Sequence, residues 1–239
     1  MTDKDLYEDY GDLPEIRLSD LEQDPELIRL EQSTLSARIQ LSFSDMRKAT
    51  RLLLDENPTE PRLLFFVLMS DVIFFLNFGL KFVISPTGAQ MEDALPEEFA
   101  GAIGGIIVLC FLLRTGSLYL FSGAVAFICR IFGGTGSWRD TRAGIFWASL
   151  VAAPIGVLGA VILLIMGYGA PYVPFLDAPL AQLPAQLIGV IAFVFFVSAA
   201  VAESHGFKRT SPVFMAFSLL TVALLFGGLY VVETISAAL

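Results

Sequence analysis

The sequence predicts an all-α fold, a polytopic membrane helix bundle with five transmembrane helices, preceded by a cytosolic N-terminal region with one or two short amphipathic helices. Three observations carry that expectation. The 239 residues are 55% hydrophobic and only 16% charged, where soluble domains carry about 25% charged residues. The apolar residues come in continuous runs, long enough for the about 20 residues that a helix needs to cross a bilayer core, and not in the alternation of a β-barrel. Of the segments between those runs, only alternate ones carry Lys and Arg. The mean hydropathy of +0.70 agrees. A net charge of -9 argues against a nucleic-acid partner, because phosphate contacts need clustered cations.

The charge is unevenly spread. Residues 1–62 hold 15 acidic and 8 basic side chains, a net of -7. Residues 1–43 read as an acidic, partly disordered cytosolic region with no signal or transit peptide pattern. Within it a helical pattern starts at Pro25, with Asp24 as N-cap. Residues 44–62 read as an amphipathic interfacial helix. Ser44 is the expected N-cap, Met46, Ala49 and Leu53 share one face, Arg47, Lys48 and Arg51 flank it, and Asn57-Pro58 ends it. A short helix packed on loops of the same chain suits the pattern equally well.

The expected spans cover about 63–84, 99–132, 143–168, 180–202 and 213–236. The second is long for one upright crossing, and a break near Arg114-Thr115-Gly116-Ser117 would make two. Loop charge favours one. Arg47, Lys48, Arg51 and Arg62 precede the first span. Arg130 at the end of the second span is followed by Arg139 and Arg142 before the third, and Lys208 and Arg209 lie between the fourth and fifth. The loops 85–98 and 169–179 contain acidic residues but no Lys or Arg. By the positive-inside rule the N-terminus is cytoplasmic and the C-terminus is outside, provided that 99–132 crosses once.

An ionisable group inside a span is costly unless paired, so it points to function or to a structural clamp. Asp71 and Arg114 have opposite signs and matching depth, which predicts an intramembrane ion pair. Asn77 lies beyond the aspartate, and Lys81 is placed to reach the far interface. Cys110 and Cys129, about 19 residues or roughly 28 Å apart along one helix, cannot bridge each other. Gly133, Gly134, Gly136 and Trp138 form a cytoplasmic turn. It lacks the Lys-Ser/Thr ending of a phosphate loop, and its glycines suit a helix end. Trp138 and Trp147 read as interfacial anchors. Gly101 with Gly105, and Gly156 with Ala160, permit close helix contact. Pro154 is expected to kink the third span, whereas Pro184 sits in the first turns of the fourth, where it is tolerated. Glu203 and the only histidine, His205, stand where the fourth span leaves the membrane and make at best half a metal site. No catalytic, cofactor or metal set is expected anywhere in the chain.

In order along the chain, three pieces resemble the Yip family of membrane proteins, in its bacterial branch. They are Arg47-Lys48-Ala49-Thr50-Arg51-Leu52-Leu53-Leu54 before Asn57-Pro58; Gly133-Gly134-Thr135-Gly136-Ser137-Trp138 leading into Phe146-Trp147-Ala148-Ser149 and Ala153-Pro154; and Glu203-Ser204-His205-Gly206-Phe207. The resemblance covers about residues 44–239. It implies a non-enzymatic protein of the bacterial inner membrane that works by protein contact, with the bilayer and other membrane or cytosolic proteins as partners. Family relatives in eukaryotes are linked to Rab-dependent vesicle traffic and organelle shape. Residues 1–40 have no counterpart in the family and are the expected place for a specific partner to bind. The competing expectation is a small transporter or channel subunit using Asp71, Asn77 and Arg114.

Overall fold

The computed structural model describes residues 34–84 and 99–238. The helical pattern expected from Pro25, the acidic loop 85–98 and the Lys81 side chain lie outside the described residues. The chain divides into two units, Met1–Gln40 and Leu41–Leu239. Of the first, only residues 34–40 are described; there the chain enters helix α1 (Leu35–Ser44).

Six further helices follow: α2 (Met46–Asp55), α3 (Glu60–Ile84), α4 (Phe99–Ile131), α5 (Trp138–Gly169), α6 (Pro179–Ser204) and α7 (Ser211–Ala238). A 3-10 turn at Pro174–Asp177 precedes α6. Among the described residues there is no strand, as the continuous apolar runs require. Four helices are long and apolar enough to cross a membrane: Val108–Ile131 within α4, Trp138–Gly169, Pro179–Ser204 and Ser211–Gly228 within α7. The helix α3, 25 residues long, carries Asp71 in its interior.

The helix α4 runs unbroken for 33 residues through Arg114-Thr115-Gly116-Ser117, about 50 Å at 1.5 Å per residue. The polar quartet does not break it. Ser117 donates its hydroxyl to the Leu113 carbonyl (2.7 Å), inside the helix's own hydrogen-bond system. The helix α5 is the hub, packed against α2, α3, α4 and α6. It passes through Pro154 as one helix. At Gly159 a Cβ would lie 2.5 Å from the Ala185 carbonyl oxygen, and at Gly189 one would lie 2.9 Å from the Gly156 Cα. Small residues thus set how closely α5 and α6 approach.

Two local expectations are corrected. The N-cap of α2 is Asp45, whose carboxylate accepts from the Lys48 amide (2.9 Å). Ser44 instead closes α1, donating to the Leu41 carbonyl (2.9 Å). Either residue type caps well; α1 running on to Ser44 moves the start of α2 by one residue. Trp147 is not an interfacial anchor. It is 2% exposed, packs edge-on against Phe66 (5.1 Å) and donates its indole N–H to the Ser42 hydroxyl (3.0 Å). With its one polar atom satisfied inside the protein, the ring has no need of an interface. Trp138, half exposed, remains at the surface.

Candidate functional site

Three helices end on a left-handed residue at the Arg-rich end of the bundle, and this creates the first polar cluster. Gly133 (φ 84°) follows α4, Gly206 (φ 70°) follows α6 and Asn57 (φ 50°) follows α2. After α4, Gly134 N–H donates to the Cys129 carbonyl and Gly133 N–H to Arg130. After α6, Phe207 N–H donates to Ala202 and Gly206 N–H to Glu203. Both are Schellman ends, which favour glycine because a Cβ is strained at positive φ. The two turns then lie against each other. Thr135 N–H donates to the His205 carbonyl (3.2 Å). A Cβ on Gly134 would stand 2.8 Å from His205 Nδ1, and one on Gly136 would collide with the Ser204 carbonyl. These glycines therefore serve close approach within the protein.

Glu203 is the centre of this cluster. Its carboxylate accepts from Arg47 Nε (2.8 Å) and Arg51 Nε (2.6 Å), and Arg47 also donates to the Phe207 carbonyl (2.8 Å). The apolar face of α2 is buried: Met46, Ala49, Thr50 and Leu53 pack toward α5 and α6. Arg47 and Arg51, read from sequence as flanking either an interfacial helix or a helix packed on the same chain, thus clamp α2 to the end of α6. Arg142 pairs with Glu60 and sits over Tyr119 (5.3 Å) and Trp138 (5.1 Å). Arg139 donates to the Pro58 carbonyl (2.8 Å).

His205 is 1% exposed. Its Nε2 lies 2.8 Å from Thr141 Oγ1, which itself donates to the Ser137 carbonyl (2.9 Å). The single hydroxyl proton being used there, Nε2–H is the group that donates to Thr141. Burial and then the charge of Arg130 lower its pKa, against the smaller opposing effect of Asp140. Ser137 and Asp140 form a reciprocal capping box that starts α5 and fixes Thr141 beneath the ring. Glu203 and His205 face different partners and do not meet as a ligand pair.

The second cluster lies inside the bundle. Arg114 of α4 pairs with Asp71 of α3. Thr115 donates to the other carboxylate oxygen (2.7 Å), and Arg114 Nη2 reaches the hydroxyls of Ser70 (3.1 Å) and Ser149 (3.2 Å), which bond each other (2.7 Å). The guanidinium also lies over the Phe74 ring (4.7 Å). Removing two charges from water is repaid only when hydrogen bonds satisfy what the partner leaves open, and three hydroxyls do that here. Ser70, Thr115 and Ser149 were not singled out from sequence as site residues. Their signal was adjacency, since Ser70 and Thr115 are the chain neighbours of the two charges.

Beyond this pair, away from the Arg-rich end, is a cavity of about 360 Å³. Its walls include Phe74 and Asn77 from α3, Arg114 from α4, Ser149 and Gly156 from α5 and Gln186 from α6. Sequence reading missed Gln186, although an amide inside an otherwise apolar span was a visible signal. Asn77 Oδ1 is buried with no hydrogen-bond partner among the described residues. Cys110 and Cys129 are both free thiols.

The chain matches the model of the Yip1 domain over residues 42–232 and belongs to this family of membrane proteins. No curated protein and no solved structure matches it.

Proposed function

We propose that this Yip-family membrane protein is a non-enzymatic scaffold that acts by protein contact, through its acidic N-terminal region and the Arg-rich end of its bundle. It crosses the bacterial inner membrane five times, with α3 as the first span, the N-terminus in the cytoplasm and the C-terminus in the periplasm. The disposition of charge carries this reading. Within the bundle, Asp71 is locked to Arg114 and Glu203 to two arginines, so these groups hold elements together. The acidic excess lies ahead of residue 42, outside the matched domain. The sign alternation of the loops supports the orientation. The 25 residues of α3, about 37 Å as helix, supply the length of a span.

Affinity capture in mild detergent, with the full chain and with residues 1–40 deleted, tests the reading. A partner retained by the full chain and lost on deletion is expected. If both proteins retain the same set, or nothing, the acidic-region contact is wrong.

The second reading, a small transporter or channel subunit, draws on the cavity walled by Arg114 and Asn77. It predicts solute flux into proteoliposomes that falls when Asn77 is replaced by Leu. Flux no greater than that of empty liposomes rules it out.

A further inference from the structure

The cavity beside the ion pair has a geometry that neither reading uses. α5 packs against both α3 and α6, while among the described residues α3 and α6 share no substantial interface of their own. Asn77 of α3 and Gly189 of α6 both approach Gly156 of the hub, and the cavity lies between these helices, with Arg114 and Leu118 of α4 in its wall. The floor of the cavity is made of small α5 residues, Ala152, Ala153 and Gly156. At its edge Phe74, Val190 and Gln186 are exposed on the side of the bundle. Phe74 and Val190 lie about three turns inside their helices and Gln186 about two, so on the five-span reading proposed above the medium at the cavity edge is bilayer.

We propose that the cavity binds a bilayer lipid with an uncharged, hydroxyl-bearing head, such as a diacylglycerol, which enters sideways between α3 and α6. Three features select that chemistry. Asn77 Oδ1 is a buried acceptor without a partner among the described residues. A hydrocarbon tail cannot satisfy it, whereas a hydroxyl both donates and accepts and so suits the amide in either orientation. The Arg114 charge is already matched by Asp71, so a charged head group would enter a neutral site and lose its hydration without return. Phe74, Leu118, Val190 and Phe193 give the rest of the wall an apolar surface suited to the start of an acyl chain. About 360 Å³ lies within the range of about 300–1,000 Å³ for small-molecule pockets. It fits a head group and the first part of a tail, with the remainder left in the bilayer.

The test uses the full-length protein in phosphatidylcholine nanodiscs. One probe is a diazirine-bearing diacylglycerol. The other is the same molecule with its hydroxyl acetylated, which accepts but does not donate. Cross-linked peptides are mapped by mass spectrometry. The free-hydroxyl probe is expected to label α5 and α6 around residues 149–156 and 186–193 about fivefold more than the acetylated one, the preference that one net hydrogen bond gives. Asn77→Leu should bring the two probes level by removing the acceptor. Val190→Trp should do the same by filling the cavity edge. Equal labelling by both probes in the unaltered protein overturns the proposal. So does a preference that survives both substitutions, or one removed by soluble glycerol, which would mean a water-borne polyol. Val190 is at the surface, so its variant decides the matter if Asn77→Leu does not fold.

Discussion

Along α5, each residue from Thr141 to Ala152 is buried, whereas beyond Pro154 only Gly159 and Ala160 are. The helix α6 mirrors this: from Val194 to Ser204 it is largely buried, and before that only Ala185 is. The two halves of one bundle are therefore built on different terms. At the Arg-rich end, α2 and the glycine turns close over α5 and α6, and most polar groups there have protein partners, His205 Nδ1 and Arg142 Nε being exceptions. In the far half fewer residues of α5 and α6 are buried, although Gly156 against Gly189 and Gly159 against Ala185 keep these two helices close, and the described side chains of α7 are exposed or half-buried along the whole helix. The window of α7 apolar enough to span is 0% buried. The contrast shows where this sequence invests its specificity. Partners are dense where backbone ends and charges must be satisfied, and sparse where lipid accepts any apolar surface.

The largest test of this contrast is the ion pair between the halves. Asp71→Leu leaves Arg114 uncompensated in the interior and should lose about 3–5 kcal/mol, with most of it recovered in the Asp71→Leu/Arg114→Leu double variant. Unfolding in mixed micelles reads both. An equal loss in single and double variants would mean that the pair does not act as a unit.

Within the packed half, Trp147→Ala should lose about 3–5 kcal/mol by leaving a cavity beside Phe66. Leu225→Ala, on exposed α7, should change stability by no more than about 0.5 kcal/mol. Similar losses at the two sites would erase the distinction between the halves.

A smaller effect is expected at the clamp. Glu203→Gln removes the charge that holds Arg47 and Arg51 and should loosen α2 by about 1–3 kcal/mol. Hydrogen exchange should quicken in residues 46–55 and stay unchanged in the middle of α5. Quickening in both would show that the clamp supports the whole bundle and not α2 alone.

The smallest is a pH effect. Burial holds the His205 pKa below its ordinary 6.5, so the unfolded chain takes up a proton more readily than the folded one. The stability this contributes is full above that value and is lost as pH falls through it toward the lowered folded pKa. The unfolding midpoint should therefore fall on acidification below about pH 6.5, and His205→Gln should remove that part of the slope. An unchanged slope in the variant would assign it to another group.

Much of this was legible in the sequence. Apolar runs without Lys or Arg announce helices in lipid, because only hydrogen-bonded helices satisfy a backbone there. Asp71 and Arg114 announced each other, since opposite charges at one depth in hydrocarbon have few other partners. The glycines of the turn at 133–136 were readable as a helix end, whereas Gly206 carried no such reading. Other features were not. The sequence left the helix of Arg47 and Arg51 equally suited to lipid and to packing on the same chain, because nothing local connects them to Glu203, more than 150 residues away. Trp147 looked like an anchor because an indole is equally at home at an interface and in a core with one acceptor at hand.

The sequence alone, by the length and continuity of its apolar runs, determined that the chain is helical and built for a membrane, since those quantities are set locally by the bilayer. Tertiary structure alone decided which polar groups close on one another. It placed Glu203 under two arginines, His205 on Thr141, three hydroxyls around the Asp71–Arg114 pair, and Asn77 at a cavity with its acceptor still open. Those outcomes depend on helix spacing and rotation, which arise from small-residue contacts such as Gly156 against Gly189 between distant segments, and no local stretch of chain encodes them.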